Sequence, residues 1–321
     1  MVARATKVSF QGVFGAYSEQ AARKCYPDAE LVPCPDFETT HLNVANSVVD
    51  RAVIPVENSL GGSIHVNYDL LMKYRLHVIG ELYHKVRHCL LANPGTRIED
   101  IKRVQSHPQA LAQCDGYLGE LNGGVIKEAV DDTAGAAQAI SERKDCKDTA
   151  ALASSLAGEL YGMETLAEDC QDNEQNLTRF IVLSRDPVVS GAPQVGDKRS
   201  GSGHVEYKTS IVFTSGDKPG DLFKALSVFA LRDIYLTKIE NRPIPQFVLA
   251  AQEQGAGVNG DGGGGGGAAA EVEGSGVFQN LFYVDFKGSL SDEACQNALR
   301  HLSEVCAFMR ILGSYPMDAP E

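Results

Sequence analysis

The stretch DPVVSGAPQVGDKRSGSGHVEY, residues 186–207, forces the chain to fold in pieces. It is rich in Gly, Pro and Ser and has no apolar period, so it reads as a linker between separately packed parts. A second stretch, QEQGAGVNGDGGGGGGAAAEVEGSG at 252–276, holds eleven glycines and almost nothing that can pack. Apolar burial there does not offset the entropy of ordering, so a disordered loop is expected. Its hexaglycine is no phosphate cradle, because a cradle needs a strand before it and a helix after it. The expected division is residues 7–186, a linker over 187–207, and residues 208–316 with a Gly-rich insertion at about 247–279.

After the linker, apolar periodicity predicts six elements. TSIVFT (209–214) reads as a strand and PGDLFKALSVFALRD (219–233) as a helix opened by Pro and Gly. IYLTKIENR (234–242) and LFYVDFK (281–287) read as strands on either side of the glycine tract. SDEACQNALRHLSEVC (291–306) is a helix with a Ser cap and acids in its first turn, and FMRILGSYP (308–316) a closing strand. The order βαββαβ is that of the split ferredoxin-like unit. Residues 7–186 instead alternate short strands with short helices, which predicts an α/β architecture with a largely parallel sheet, in two lobes around a cleft.

The net charge of −13 repels nucleic acid and anionic membranes, and no Lys/Arg-rich stripe overrides it. No apolar stretch approaches the roughly 20 residues of a membrane-spanning helix. The eight cysteines form no CxxC and no zinc spacing, which points to a reducing compartment. The N-terminal MVARATKVSF reaches the first strand within about seven residues, so no transit peptide is expected in this chain. His84 and His88 stand four apart without a third ligand nearby and beside Lys85 and Arg87, so no metal site is expected. Cys114 has no helix-capping histidine to make it a nucleophile, and the Asp131–Asp132 pair reads as an N-cap with a solvated neighbour.

Strand after strand in the first part runs into a turn of small or hydroxyl-bearing residues that opens a helix. Gly15, Tyr17 and Ser18 form one such turn, and Glu57, Asn58 and Ser59 another. Ser106 and His107 precede a helix at Pro108, Asp132 and Thr133 precede another, and Ser154 and Ser155 a third. Each taken singly is an N-cap. Taken together they place several helix N-termini at the carboxyl ends of the strands, where open α/β sheets bind ligands and where backbone N–H groups favour anions. The expected ligand is a small anion with more than one carboxylate. NLTRF (176–180) then has a use: the Arg179 fork suits a carboxylate, Thr178 can donate to a leaving hydroxyl, and Phe180 walls one side.

GVFGAYSEQAA, PVENSLGGS, SHPQALAQC, DDTAGAA and NLTRF, in this order and followed by a βαββαβ module, resemble the prephenate dehydratase family. LFKALSVFALRDIYLTKIENRP and LGSYPMD resemble its plant-type branch, the arogenate dehydratases. The resemblance implies a two-lobed catalytic domain like that of periplasmic binding proteins, followed by an ACT regulatory domain. It implies loss of water and carbon dioxide together from a cyclohexadiene acid, arogenate giving phenylalanine or prephenate giving phenylpyruvate, with no cofactor and no metal. The family's Thr-Arg-Phe motif falls on Thr178, Arg179 and Phe180, and its Glu-Asn-Ser motif on Glu57, Asn58 and Ser59. Its Ser-His pair falls on Ser106 and His107, its glutamine on Gln113, and its helix-start threonine on Thr133, while Tyr17 and Ser18 join the substrate-binding set. Thr178 is expected to assist hydroxyl departure and Arg179 to grip a carboxylate. Asn58, Ser59, Ser106, Gln113 and Thr133 are expected to orient the ring, and the helix over 153–161 to shape the pocket around the substrate side chain.

The family's phenylalanine effector motifs read here Gly220-Asp221-Leu222 and Glu240-Asn241-Arg242-Pro243. Both depart from the family pattern: Asp221 adds a negative charge and Asn241 replaces serine. The resemblance also implies a homodimer or homotetramer paired through ACT sheets, working in the plastid stroma if plant-type and otherwise in the cytoplasm. Two other readings remain at this level. One is prephenate as the main substrate. The other is a different class of protein, either an aromatic amino-acid sensor that binds without turnover or an enzyme of another type acting on a dicarboxylate.

Overall fold

A computed structural model of the chain describes residues 5–187, 205–216, 218–244 and 280–319. The contacts divide it into two units, one of Met1–Leu76, Glu81–Arg185 and Asp318–Glu321, the other of His77–Gly80 and Asp186–Met317. Most of the expected linker and all of the insertion expected at about 247–279 lie outside the described residues. No helix among the described residues is long and apolar enough to cross a membrane.

The first lobe runs through β1 (Lys7–Gln11), α1 (Tyr17–Cys25), β2 (Glu30–Cys34), α2 (Phe37–Ala45), β3 (Arg51–Asn58), β4 (Gly62–Ser63), α3 (His65–Tyr74) and β5 (His77–Lys85). The second lobe holds β6 (Cys89–Ala92), β7 (Arg103–Ser106), α4 (Pro108–Gln113), α5 (Asp115–Glu120), β8 (Ile126–Ala129), α6 (Thr133–Ser141), β9 (Thr149–Ala153), α7 (Ser155–Tyr161) and β10 (Glu164–Ala167). The chain then returns to the first lobe as β11 (Leu177–Ser184).

The first sheet has the order β2-β1-β3-β11-β5, and the second β10-β6-β9-β7-β8. Both are mixed, which corrects the expectation of a largely parallel sheet. Strands β1, β2 and β3 are parallel, but β11, which lies between β3 and β5, runs antiparallel to β3. In the second sheet β7 is parallel to β8 and β9, while β6 is antiparallel to β9 and β10. The reason is topological. A chain that leaves one lobe and comes back must insert its returning strand in the opposite sense, and β11 does so.

The two crossings, 86–88 and 168–176, are bonded to each other. Val86 N–H donates to the Asn176 carbonyl (2.8 Å) and Cys170 N–H to the His88 carbonyl (2.8 Å). The second sheet is buried on both faces, so β9 reads TAALA without alternation. Leu91, Ala151 and Ala153 pack on Ala137, Ile140 and Ala157, whereas Leu90, Ala150 and Leu152 pack on Leu111, Cys114 and Leu118. Burying this many methylene and methyl groups at about 25 cal/mol per Å² makes each face a core of its own.

A close approach ties the turn after β1 to α7. Gly15 has φ +92°, and a Cβ there would lie 2.9 Å from Ala157 Cα, so only glycine fits. Ser154 serves both sides of this contact: its Oγ donates to the Gly15 carbonyl (2.6 Å) and accepts from Ala157 N–H (3.1 Å).

The second unit contains β12 (Tyr207–Thr214), α8 (Asp221–Ala230), β13 (Leu236–Pro243), β14 (Asn280–Lys287), α9 (Glu293–Val305) and β15 (Met309–Pro316). Their antiparallel sheet has the order β13-β14-β12-β15, the ferredoxin-like arrangement of a βαββαβ chain. In α9 the residues Cys295, Ala298, Leu299 and Leu302 fall on one helical stripe, and with Val228 and Phe229 of α8 they cover Ile211, Phe213, Val284 and Phe286.

Candidate active site

Between the two lobes of the first unit lies a cleft of about 440 Å³. Helix starts meet there, as the strand-end turns predicted. Ala16, Tyr17 and Ser18 line it at the start of α1, Phe37 at the start of α2, His107 and Gln109 at the start of α4, and Asp132 and Thr133 at the start of α6. Ala16 offers α1 no side-chain cap, which leaves that terminus to a ligand or water. At α6 the Asp132 carboxylate accepts from Ala134 N–H (3.1 Å). Among the described lining residues none is Lys or Arg, and Asp131 and Asp132 are the only carboxylates.

A β-bulge sets the geometry around NLTRF. In the β3–β11 pairing Thr178 faces Asn58 and Arg179 faces Glu57, but Phe180 faces Pro55, so β3 carries one extra residue at Val56. The bulge brings Asn58 and Pro55 onto the cleft face together with Thr178 and Phe180, although they are three residues apart. Asn58 Nδ2 donates to Thr178 Oγ1 (3.0 Å), to Asn176 Oδ1 (2.8 Å) and to the Leu177 carbonyl (3.3 Å). Asn58 Oδ1 accepts from Leu60 N–H (3.0 Å) and Gly61 N–H (2.8 Å). Phe180 is buried, with its ring edge-on to His84 at 6.3 Å.

Arg179 does not line the cleft. Strand alternation turns it to the other face of β11, where its Nε donates to Glu81 Oε2 (2.8 Å) and its Nη1 lies 3.9 Å from Glu57 Oε2. Its guanidinium is engaged inside the lobe, apart from the cleft lining, where a carboxylate grip was expected of it. Glu57 shares that face and is likewise absent from the cleft lining.

Ser59 and Ser106, expected to orient the ring, do not line the cleft. Ser59 Oγ donates to the Gln175 carbonyl (2.8 Å) and accepts from Leu177 N–H (3.0 Å), which clamps the chain ahead of β11. Ser106 is fully buried and donates to the Leu152 carbonyl (2.6 Å), bonding β7 to its neighbour β9. The cap of α4 is instead His107, whose Nδ1 accepts from Gln109 N–H (3.2 Å). Helix α7 also lies off the cleft lining, its start occupied by the Gly15 contact.

Two residues outside the expected set join the hydrogen-bond network at the cleft wall. Asn176, fully buried, donates from Nδ2 to Gln113 Oε1 (2.8 Å). His88 lines the cleft, with Nε2 2.9 Å from Gln113 Oε1 and Nδ1 2.8 Å from the Tyr17 hydroxyl. Burial holds the His88 imidazole below its ordinary pKa against the opposing hydrogen bond to Gln113, which favours the neutral ring. Burial also pushes the Tyr17 phenol well above its ordinary value, and the Cys114 thiol up. Asn176 was legible as the first residue of NLTRF; His88 carried no signal beyond its pairing with His84. Among the described residues no group of three or more His, Cys, Asp or Glu is placed to hold a metal ion.

In the second unit, Gly220 precedes α8 at φ +88°, and Asp221 and Leu222 form its first turn. Asp221 accepts from Lys218 N–H (3.1 Å) and pairs with Lys224 (2.9 Å). Glu240, Asn241, Arg242 and Pro243 end the edge strand β13.

Residues 8–188 match the family described as prephenate dehydratase. The Arabidopsis thaliana protein named arogenate dehydratase/prephenate dehydratase 2, chloroplastic, is 50% identical over 312 residues, 97% of this chain and 73% of that protein. The Petunia hybrida protein named arogenate dehydratase 2 is 51% identical over 313 residues, 98% of this chain and 72% of that protein. Among solved structures, a prephenate dehydratase from Arthrobacter aurescens in complex with L-Phe superposes with a TM-score of 0.78 at 27% identity, covering 98% of this chain and 92% of that one. With the matched segment running from β1 past the end of β11, the chain belongs to the prephenate dehydratase family and is a carbon–oxygen lyase.

Proposed function

We propose that the chain converts arogenate to phenylalanine by decarboxylating dehydration, with prephenate to phenylpyruvate as the weaker activity. The observation that carries this is the Thr178 hydroxyl. It accepts from the Asn58 amide, so its own proton points away from Asn58. In the reaction the bond from the ring to its carboxylate breaks and carbon dioxide leaves. The electron pair moves through the ring and the opposite carbon–oxygen bond breaks. The departing hydroxide takes a proton and becomes water, and the ring is aromatic. Aromatisation supplies the driving force, so the protein has to hold the carboxylates and ease hydroxide departure. Thr178 donates to the departing oxygen, the uncapped start of α1 receives a carboxylate, and Phe180 and Tyr17 flank the ring.

Arogenate is favoured over prephenate by the charge of the cleft. Asp131 and Asp132 suit an ammonium, and prephenate carries a keto group in its place. The test is turnover of purified protein with each substrate side by side, following phenylalanine and phenylpyruvate. A higher kcat/KM for arogenate supports the reading. Preference for prephenate keeps the chemistry and changes the pathway step, and binding of both without turnover makes the chain a sensor.

L-Phenylalanine binds the second unit through Gly220–Leu222 and Glu240–Pro243. Support comes from the L-Phe complex of the Arthrobacter aurescens relative. A rise in Tm with L-phenylalanine, lost in Gly220→Val, is the expected result. The second unit also pairs with a second copy, a reading supported by the exposed side chains Phe223 (77%), Leu231 (73%) and Tyr235 (66%). Light scattering giving a monomer mass would remove it. The plastid stroma is the corresponding compartment, by the word chloroplastic in the Arabidopsis relative's name.

A further inference from the structure

We infer that His88 is a positioning residue for Thr178: held as the Nε2–H tautomer by amides whose orientation the Leu60 and Gly61 N–H groups set, it donates to Gln113 and so keeps in place the Gln113–Asn176–Asn58 ring that backs the Thr178 hydroxyl. The inference rests on the dehydratase reading of that cleft. The orientation of each group follows from a fixed starting point. Backbone N–H groups can only donate, so Leu60 and Gly61 identify the oxygen side of the Asn58 amide. Asn58 Nδ2 must then donate to both Asn176 Oδ1 and Thr178 Oγ1.

With its oxygen accepting, Asn176 turns its NH₂ to Gln113 Oε1. Gln113 Nε2 lies 3.4 Å from Asn58 Oδ1, which closes a ring of three amides. Gln113 Oε1 is an acceptor already in use, so His88 Nε2 at 2.9 Å must carry a proton. His88 Nδ1 is therefore the lone pair, and Tyr17 supplies the proton across 2.8 Å. The Tyr17 hydroxyl also lies 2.8 Å from the Arg87 carbonyl and has one proton to share.

The opposite tautomer fails at each link. An unprotonated Nε2 would face the Gln113 oxygen, and turning Gln113 over would set its NH₂ against that of Asn176. Turning Asn176 would in turn oppose the Asn58 NH₂, and Asn58 is held by Leu60 and Gly61. The ring itself is anchored for this task. It is 2% exposed, its backbone N–H donates to Gln171 Oε1 (2.7 Å), and the Tyr17 ring stands edge-on at 5.5 Å. Burial favours the neutral ring.

The test joins kinetics to a direct reading of the tautomer. His88→Leu is expected to lower kcat about tenfold to a hundredfold with KM changed by less than about threefold, because misaiming a catalytic donor costs rate more than binding. His88→Gln returns an N–H donor near the Nε2 position and is expected to recover most of the rate. In a Thr178→Val background His88→Leu should add little, since both act through one hydroxyl. Multiplicative losses, a loss confined to KM, or a folded His88→Gln as slow as His88→Leu would each overturn the assignment. Should the leucine variant fail to fold, nitrogen NMR of the wild-type protein decides: an Nε2–H signal for His88 supports the inference and an Nδ1–H signal ends it. That reading needs no substrate, so its failure is distinguishable from a wrong assignment of the reaction.

Discussion

Arg179 donates from Nε to Glu81 Oε2 at 2.8 Å, and the pair is shut away from water, with side chains 5% and 0% exposed. Glu81 Oε1 also accepts from Asp318 N–H (3.3 Å), and Asp318 Oδ2 from Tyr83 N–H (2.9 Å). The arginine next to Thr178 is thus a buried strut of β11. Removing one member of such a pair leaves a buried charge without its counter-charge. Arg179→Met is expected to lower unfolding free energy by about 3–5 kcal/mol, read by denaturant titration. The double variant Arg179→Met with Glu81→Met should recover most of that loss. An Arg179→Met protein of undiminished stability with raised KM would restore the carboxylate-gripping role.

Thr178→Val replaces the hydroxyl by a methyl of similar volume. Asn58 Nδ2 keeps Asn176 as an acceptor, so stability should fall by only about 1 kcal/mol. The rate should fall about 10²–10³-fold, the usual cost of losing one donor to a developing charge. Thr178→Ser, which keeps the donor, should remain within about tenfold of the parent. Steady-state kinetics on both variants checks this.

Asp131 and Asp132 differ in their engagement. Asp132 caps α6, so its removal should cost about 1 kcal/mol of stability. Asp131→Asn leaves that cap in place and removes one charge from the cleft. It is expected to lower kcat/KM for arogenate about tenfold and leave prephenate nearly unchanged, as befits an exposed charge–charge contact. Equal effects on the two substrates would take ammonium recognition away from Asp131.

Acid should destabilise the protein well before its carboxylates titrate. Burial lowers the pKa of His41 and of His84 to about 4, the backbone contact to Phe37 opposing it for His41 and nearby Lys24 adding to it for His84. The unfolded chain takes up these protons near pH 6.5 while the folded chain does not. Stability is therefore complete above about pH 6.5 and falls as pH drops toward about 4, on the order of 3 kcal/mol for each ring. Urea midpoints across this range should show the slope, and His84→Phe should remove the part that His84 contributes.

What was legible in the sequence was local. The βαββαβ order of the second unit, the cap at Asp132, the cap at Ser154 and the convergence of helix starts all follow from residues within a turn or a strand of one another. The five ordered motifs also carried the family. What the sequence left open was which face each motif residue takes. That depends on pairing between β3 and β11, whose partners Asn58 and Thr178 stand 120 residues apart. One extra residue at Val56 puts Pro55 and Asn58 on the cleft and keeps Arg179 and Glu57 behind it. Ser106 looked like a cap because its neighbours are, yet strand β9 at Leu152 claimed its hydroxyl. His88 had no local pattern at all, since its partners Tyr17 and Gln113 lie 71 and 25 residues away. Propensity and capping act over a few residues, whereas hydrogen-bond partners at a site between lobes exist only once both lobes have packed, and that decision belongs to the tertiary structure.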